Sequence, residues 1–132
     1  MTGFLELDSL EKRFGEVRVT RGVSLSARKG EIVALLGPSG SGKTTVLRLT
    51  AGFETPDAGR VLVEGEDVTG VSPERRRFGM VFQHYALFPH MTAGENVAFG
   101  LESRGAPREE VAARVAEMLA LTGLSGFADR KV

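Results

Sequence analysis

Hydrophobic and polar residues alternate in three short stretches near the start of the chain, at residues 5–7, 17–20 and 23–27. Alternation of this kind is typical of β-strands with one buried face. The pattern predicts a small antiparallel layer in which residues 5–7 form an edge strand. A further strand is predicted at residues 60–64, where apolar positions follow a turn.

A second pattern, apolar at every position, occurs at residues 32–36 and more briefly at residues 80–82. The longer run is typical of a parallel strand that is covered on both faces, and residues 80–82 are predicted to form a short buried strand. After the first run, Val46 and Leu49 lie at helical spacing, and Gly52 is placed to end that helix. A strand, a loop and a helix in this order predict an α/β fold.

The pattern becomes helical after residue 83. Thr92 and Glu95 have the spacing of a capping box, which predicts a helix beginning there. Pro107 suits the first turn of a second helix. We therefore expect two parts, a mixed α/β core at residues 1–83 and a mostly helical part at residues 84–132.

Composition narrows the class of protein. Hydrophobic residues make up 42% of the chain, which is enough for a globular core. Lys+Arg and Asp+Glu both number 17, so the charge gives no indication of a nucleic-acid partner. The chain has no cysteine, no apparent signal peptide, and no apolar run approaching the roughly 20 residues of a membrane span. Any role at a membrane is therefore expected to involve a partner.

The loop between the predicted strand and helix fits the phosphate-binding pattern G-x-x-x-x-G-K-[ST]. Its residues are Gly37, Pro38, Ser39, Gly40, Ser41, Gly42, Lys43, Thr44 and Thr45. Glycines let backbone N–H groups turn inward toward phosphate oxygens, and the helix N-terminus adds a favourable dipole. We expect Lys43 to reach the β- and γ-phosphates of a nucleoside triphosphate and the Thr44 hydroxyl to ligate Mg²⁺.

Together with its neighbours, this loop resembles that of ATP-binding cassette (ABC) transporter subunits. Residues 10–15 are similar to the family segment that stacks an aromatic ring on adenine, which implies this role for Phe14. Residues 79–83 look like the strand leading into the family's glutamine loop, which implies that Gln83 contacts Mg²⁺ and the attacking water. The run at residues 84–97 resembles bacterial importers for sulfate, sugars, polyamines or iron.

The resemblance implies a P-loop NTPase fold and a function, namely the ATP-binding subunit of an importer powered by ATP binding and hydrolysis. It implies transmembrane permease subunits as partners, contacting the segment from Gln83 to Asn96, and a second copy of the ATPase subunit. It also implies a peripheral location at the cytoplasmic face of the inner or plasma membrane. The transported solute is not specified by these motifs.

Three family motifs are missing from the 132 residues: the Leu-Ser-Gly-Gly-Gln signature, the apolar strand ending in Asp-Glu, and the switch histidine. Leu124, Ser125 and Gly126 are followed by Phe127, so we interpret them as a helix-ending loop. We interpret the chain as the front half of a longer protein, truncated before the signature, which binds nucleotide but hydrolyses it poorly alone. A nucleotide-binding module or a degenerate remnant without transport activity are the alternatives. Whether the chain acts as an enzyme stays open.

Several residues have simpler interpretations. The arginines at residues 75–77 are expected to form a solvated turn, and His84 and His90 to have loop or packing roles rather than bind a metal. By resemblance, residues 87–89 are expected to line a groove for a permease helix. The missing strands are expected to leave apolar edges exposed and so to favour self-association.

Overall fold

The computed structural model describes residues 3–132 and divides into two compact units. One unit ends at Met80 and the other spans Val81–Val132. No helix in the described part of the chain combines the length and apolar character needed to cross a bilayer.

The first unit contains a four-stranded antiparallel sheet, which confirms the predicted antiparallel layer. Its strands are β1 (Leu5–Phe14), β2 (Val17–Ala27), β3 (Ala58–Val63) and β4 (Glu66–Asp67), in the spatial order β2-β1-β3-β4. The prediction of an edge strand at residues 5–7 is wrong, because β1 pairs with β2 on one side and β3 on the other. The two strands predicted at residues 17–27 are one strand with irregular register.

Helix α1 (Lys43–Ala51) forms where the sequence predicts it and covers one face of this sheet. Val46 and Leu49 project from α1 into a cluster with Leu7, Leu10 and Val61 of the sheet. Burying one such side chain contributes about 1.5–3 kcal/mol. This apolar cluster therefore fixes the helix that follows the phosphate loop against β1 and β3.

The buried Arg76 ends the short helix α2 (Pro73–Arg76) and has only 8% of its surface exposed. Its Nη1 donates to the carbonyls of Leu49 and Thr50, at 2.8 and 2.9 Å. Nη2 and Nε donate to the carbonyls of Thr69 and Val71, at 2.6 and 2.7 Å. The prediction of a solvated turn is therefore wrong for Arg76, although its two arginine neighbours are exposed.

The partners of Arg76 include the last carbonyls of α1, which a helix cannot satisfy by itself. Gly52 ends α1 in the left-handed region at φ 87°, and a Cβ there would lie 2.7 Å from Nε of Arg76. The glycine thus gives the guanidinium room to reach these carbonyls. Burial lowers the pKa of Arg76 below its ordinary value, and the charge of Asp67 opposes that shift.

The second unit pairs α3 (Ala93–Glu102) with α4 (Arg108–Leu121). The predicted capping box is present: the Glu95 N–H donates to the Thr92 hydroxyl, and the Thr92 N–H donates to the Glu95 carboxylate. Pro107 is the N-cap of α4, one position before the predicted first turn. The buried apolar residues of this unit are Ala98, Val111 and Leu119.

The predicted parallel strand at residues 32–36 and the predicted short buried strand at residues 80–82 do not form. Residues 32–36 and 80–82 carry no strand pairing, and Ile32, Leu36 and Val81 are 96%, 92% and 92% exposed. A parallel strand needs a neighbour to satisfy its backbone and cover its faces. Within residues 3–132, every pairing between the named strands is antiparallel and none includes these two segments. The apolar composition of these two segments predicts that they are buried, but it does not supply the neighbouring strand with which they would pair.

We expect Arg76→Met to lower the free energy of unfolding by about 2–4 kcal/mol, because it leaves buried carbonyls without donors. Arg75→Met is the matched control, since Arg75 is exposed and should change stability by no more than about 0.5 kcal/mol. Urea unfolding followed by circular dichroism measures both. Equal effects of the two substitutions would contradict the role assigned to Arg76.

We also expect the chain to self-associate through residues 32–36. Their apolar side chains are mostly exposed and their backbone has no strand pairing, so they can pair with another molecule. Replacing Ile32 and Leu36 together with lysine should reduce association measured by sedimentation velocity. Leu121→Lys removes a single exposed leucine on α4 and should leave association unchanged. A chain that sediments as a monomer before any substitution refutes this expectation.

Candidate phosphate-binding site

The phosphate loop runs from Gly37 to Gly42, immediately before α1. Gly40 and Gly42 have φ of 79° and 90°, in the left-handed region that favours glycine. At Gly42 a Cβ would also lie 3.0 Å from the carbonyl oxygen of Val19 in β2. Glycine is needed there both for the backbone turn and for the close approach of β2.

The N-terminus of α1 is open to an anion. Gly42 is its N-cap, no side chain caps it, and its first turn contains no acidic residue. The first N–H groups of a helix have no partner within the helix, and the helix dipole places partial positive charge at them. This end of α1 therefore has the chemistry that binds phosphate.

The Lys43 ammonium lies inside the loop. Nζ donates to the carbonyls of Gly37 and Pro38, at 2.8 and 2.7 Å, and to the Ser41 hydroxyl at 3.1 Å. These contacts keep the positive charge beside the helix N-terminus rather than extended into solvent. The ammonium and the helix N-terminus both favour an anionic ligand. An anionic oxygen accepts a stronger hydrogen bond from the ammonium than the neutral carbonyls of the loop do.

A cleft of about 610 Å³ adjoins the loop. It lies between β2, residues 34–38 and the start of α1, and its volume is typical of small-molecule sites. Of the predicted site residues, five line it: Gly37, Pro38, Ser41, Gly42 and Lys43. Ser39, Gly40, Thr44 and Thr45 belong to the same loop and first helical turn without lining the cleft.

Phe14 is the last residue of β1 and is 45% exposed. It pairs with Val17 of β2, two residues before the Val19 carbonyl that approaches Gly42. Two residues of strand extend about 7 Å. The aromatic ring implied by the resemblance therefore projects from the same part of the sheet that contacts the phosphate loop.

Gln83 lies in the second unit, in an exposed turn. Two non-glycine residues follow it in the left-handed region, Tyr85 at φ 63° and Ala86 at φ 52°. Such conformations cost of order 1–3 kcal/mol each and concentrate at functional loops. The role implied for Gln83 stays a prediction.

The rest of the importer-like segment is anchored by Asn96. Its amide accepts from the Phe88 N–H at 2.8 Å and donates to the Phe88 carbonyl at 3.2 Å, so it holds the backbone of Phe88 on both sides. The centre of the Phe88 ring lies 4.3 Å from that of Phe99 and 6.1 Å from that of His90. Tyr85 and Leu87 remain exposed.

Three residues organise these elements in ways that the sequence did not predict: Arg76, Asn96 and Lys12. Lys12 places its ammonium 5.3 Å from the centre of the Phe14 ring. Nothing in the run at residues 75–77 distinguishes the buried arginine from its neighbours. For Asn96, its spacing of one helical turn after the capping residue Thr92 was an available indication, since its amide also donates to the Thr92 carbonyl.

Comparison with known proteins gives consistent matches. The family model described as ABC transporter matches residues 20–132. The Fe(3+) ions import ATP-binding protein FbpC of Escherichia coli (strain K12) is 54% identical over 129 residues, covering 98% of this chain. The sulfate/thiosulfate import ATP-binding protein CysA of Thermosynechococcus vestitus is 52% identical over 96% of this chain. The spermidine/putrescine import ATP-binding protein PotA of Lawsonia intracellularis is 50% identical over 99%.

A solved structure is similar as well. The dimeric post-hydrolysis state of the ATP-binding cassette MJ0796 bound to ADP and Pi superposes with a TM-score of 0.84 at 33% identity. The match covers 96% of this chain and 61% of that one. The chain spans 37%, 38% and 36% of the lengths of FbpC, CysA and PotA. A family model over most of the chain and a shared fold lead to one conclusion: the chain belongs to the ABC transporter family.

Proposed function

We propose that the chain binds ATP at the phosphate loop and forms the nucleotide-binding part of an importer's ATPase subunit. The observation that carries this proposal is the open N-terminus of α1, with the Lys43 ammonium beside it and a cleft alongside. The importer relatives, at 50–54% identity, support the assignment to uptake rather than export.

Each residue of the site has a proposed part. The backbone of residues 37–42 and the N–H groups at the start of α1 bind the phosphates. Lys43 exchanges its loop acceptors for β- and γ-phosphate oxygens. Phe14 stacks on the adenine, since a half-exposed ring at the end of a strand offers a face to a planar base.

Mg²⁺ is the proposed metal. The exposed Thr44 hydroxyl in the first turn of α1 is an oxygen donor of the kind this ion prefers, and it is next to Lys43. Gln83 is proposed as a further contact of Mg²⁺ and water on the resemblance alone. When bound, Mg²⁺ neutralises charge on the phosphate oxygens; Thr44 holds an oxygen toward it, and Lys43 supplies a second positive charge.

Hydrolysis needs more than these groups supply. Phosphoryl transfer depends on a positioned water and on charge stabilisation around the transferred group. The 132 residues contain neither an apolar strand ending in Asp-Glu nor the Leu-Ser-Gly-Gly-Gln motif. We propose that these residues bind ATP and that efficient hydrolysis requires groups outside them.

We also propose two partners. Permease subunits dock on the segment from Gln83 to Asn96. Tyr85 and Leu87 are exposed there, just before Phe88, whose backbone Asn96 holds in place. A second copy of the ATPase subunit completes the working assembly, in keeping with the dimeric ABC structure that the chain resembles. With these partners, the proposed location is peripheral, at the cytoplasmic face of the membrane.

The imported solute is proposed to be selected elsewhere. Relatives named for iron, sulfate and polyamine import match this chain at 54%, 52% and 50% identity. A chain that matches importers of chemically different solutes almost equally well is suited to a task they have in common, namely using ATP. We therefore place solute specificity in the partner subunits.

The first test is nucleotide binding. Lys43→Ala should weaken MgATP binding by about 10- to 100-fold, because it removes a charged hydrogen-bond donor to phosphate. Lys29→Ala removes an exposed lysine of the same unit and should leave the affinity unchanged. Isothermal titration calorimetry measures both, with circular dichroism to verify folding. Equal affinities for Lys43→Ala and the unmodified chain would exclude the proposed site.

The second test is turnover. Phosphate release by the 132-residue chain with MgATP should not exceed that of its Lys43→Ala variant. The neutral amide of Gln83 can contact water but cannot take a proton from it, and the 132 residues contain no apolar strand ending in Asp-Glu. A steady-state assay at saturating nucleotide makes the comparison. Sustained release that disappears in Lys43→Ala would show that these residues hydrolyse ATP without further groups.

A further inference from the structure

We propose that Lys12 is a positioning residue for nucleotide binding, which holds the Phe14 ring as a stacking surface with a single free face. The inference rests on the proposed function and deepens it. Lys12 itself makes no contact with the nucleotide in this proposal; it acts through Phe14. The ammonium lies 5.3 Å from the ring centre, within the range of a cation–π contact.

Lys12 is itself held firmly. Its side chain is only 14% exposed, unusual for a lysine on a strand surface. Nζ donates to the Thr55 carbonyl at 2.7 Å and lies 3.8 and 3.9 Å from the carboxylates of Glu54 and Asp57. A hydrogen bond and two nearby carboxylates fix the position of the charge over the ring.

The residues that hold Lys12 are also bonded to the strand backbone. The Asp57 carboxylate accepts from the Arg13 N–H at 2.7 Å, and the Asp57 N–H donates to the Glu11 carbonyl at 2.8 Å. Residues 54–57 begin two positions after Gly52, where α1 ends. The loop leaving the phosphate-loop helix is therefore fastened to the strand that carries Phe14, so the ring and the phosphate loop are connected by a short ordered path.

This arrangement has two consequences for a planar base. A half-exposed ring that is already oriented loses less conformational freedom on binding than a freely rotating one. The ammonium also occupies one face of Phe14, which leaves the opposite face for the base. Lys12 should therefore increase the affinity for nucleotides and have no effect on the affinity for a phosphate chain that lacks a base.

The test compares ATP with inorganic tripolyphosphate, which lacks a base. Lys12→Met keeps the aliphatic stem and removes the charge. We expect it to weaken ATP binding by about two- to five-fold and to leave tripolyphosphate binding unchanged. Lys29→Met is the matched control, because the Lys29 ammonium makes a similar contact with another ring, 5.9 Å from the centre of Phe4. It should change neither affinity, and Lys12→Arg should restore ATP binding.

A double-mutant cycle separates positioning from structural effects. In a Phe14→Ala background, Lys12→Met should cause no further loss of ATP affinity. Additive losses, or equal weakening of ATP and tripolyphosphate, would overturn the proposal while leaving the proposed function intact. If the unmodified chain binds neither ligand, the proposed function itself fails. Should Lys12→Met not fold by circular dichroism, Lys12→Gln, which can still donate to Thr55, replaces it in the same cycle.

Discussion

Helix α1 has hydrogen-bond donors at its C-terminal carbonyls but no side-chain cap at its first N–H groups, and the candidate site depends on this difference. A helix of nine residues is marginal in water by itself. Here it is stabilised by Val46 and Leu49 in the sheet core and by the Arg76 guanidinium at its last carbonyls. Its first N–H groups have no side-chain cap. Stability thus comes from the sheet-facing side of the helix and from its C-terminus, and no side chain occupies the first N–H groups, which leaves them free for a ligand.

Elements that satisfy their own hydrogen bonds were predicted well from the sequence. Helix α1 and the capping box at Thr92 and Glu95 depend on local spacing, and both form as predicted. Residues 32–36 show the opposite case, because a parallel strand depends on a partner that local composition cannot specify. The central position of β1 depends likewise on which strands are available to pair with it.

The same distinction applies to the site. The phosphate loop could be identified from its residues because its glycine positions, lysine and following helix are fixed relative to one another along the chain. Arg76 and Lys12 could not, since their roles come from carbonyls and a ring brought near by folding. In the sequence, each of these residues is one of many positive charges. Its role can be assigned only when the groups that it contacts in the folded chain are known.

The internal contacts of Lys43 bear on the kinetics of ligand capture. Its ammonium already has three acceptors within the loop, so an arriving phosphate must replace existing hydrogen bonds rather than meet an unengaged charge. If the lysine leaves these acceptors before the phosphate reaches it, its release is a first-order event whose rate does not depend on ligand concentration. If that event is slow compared with diffusional encounter, the observed association rate reaches a plateau as ligand concentration rises. The loop would in that case set an upper limit on how fast the site fills, independently of how tightly it binds.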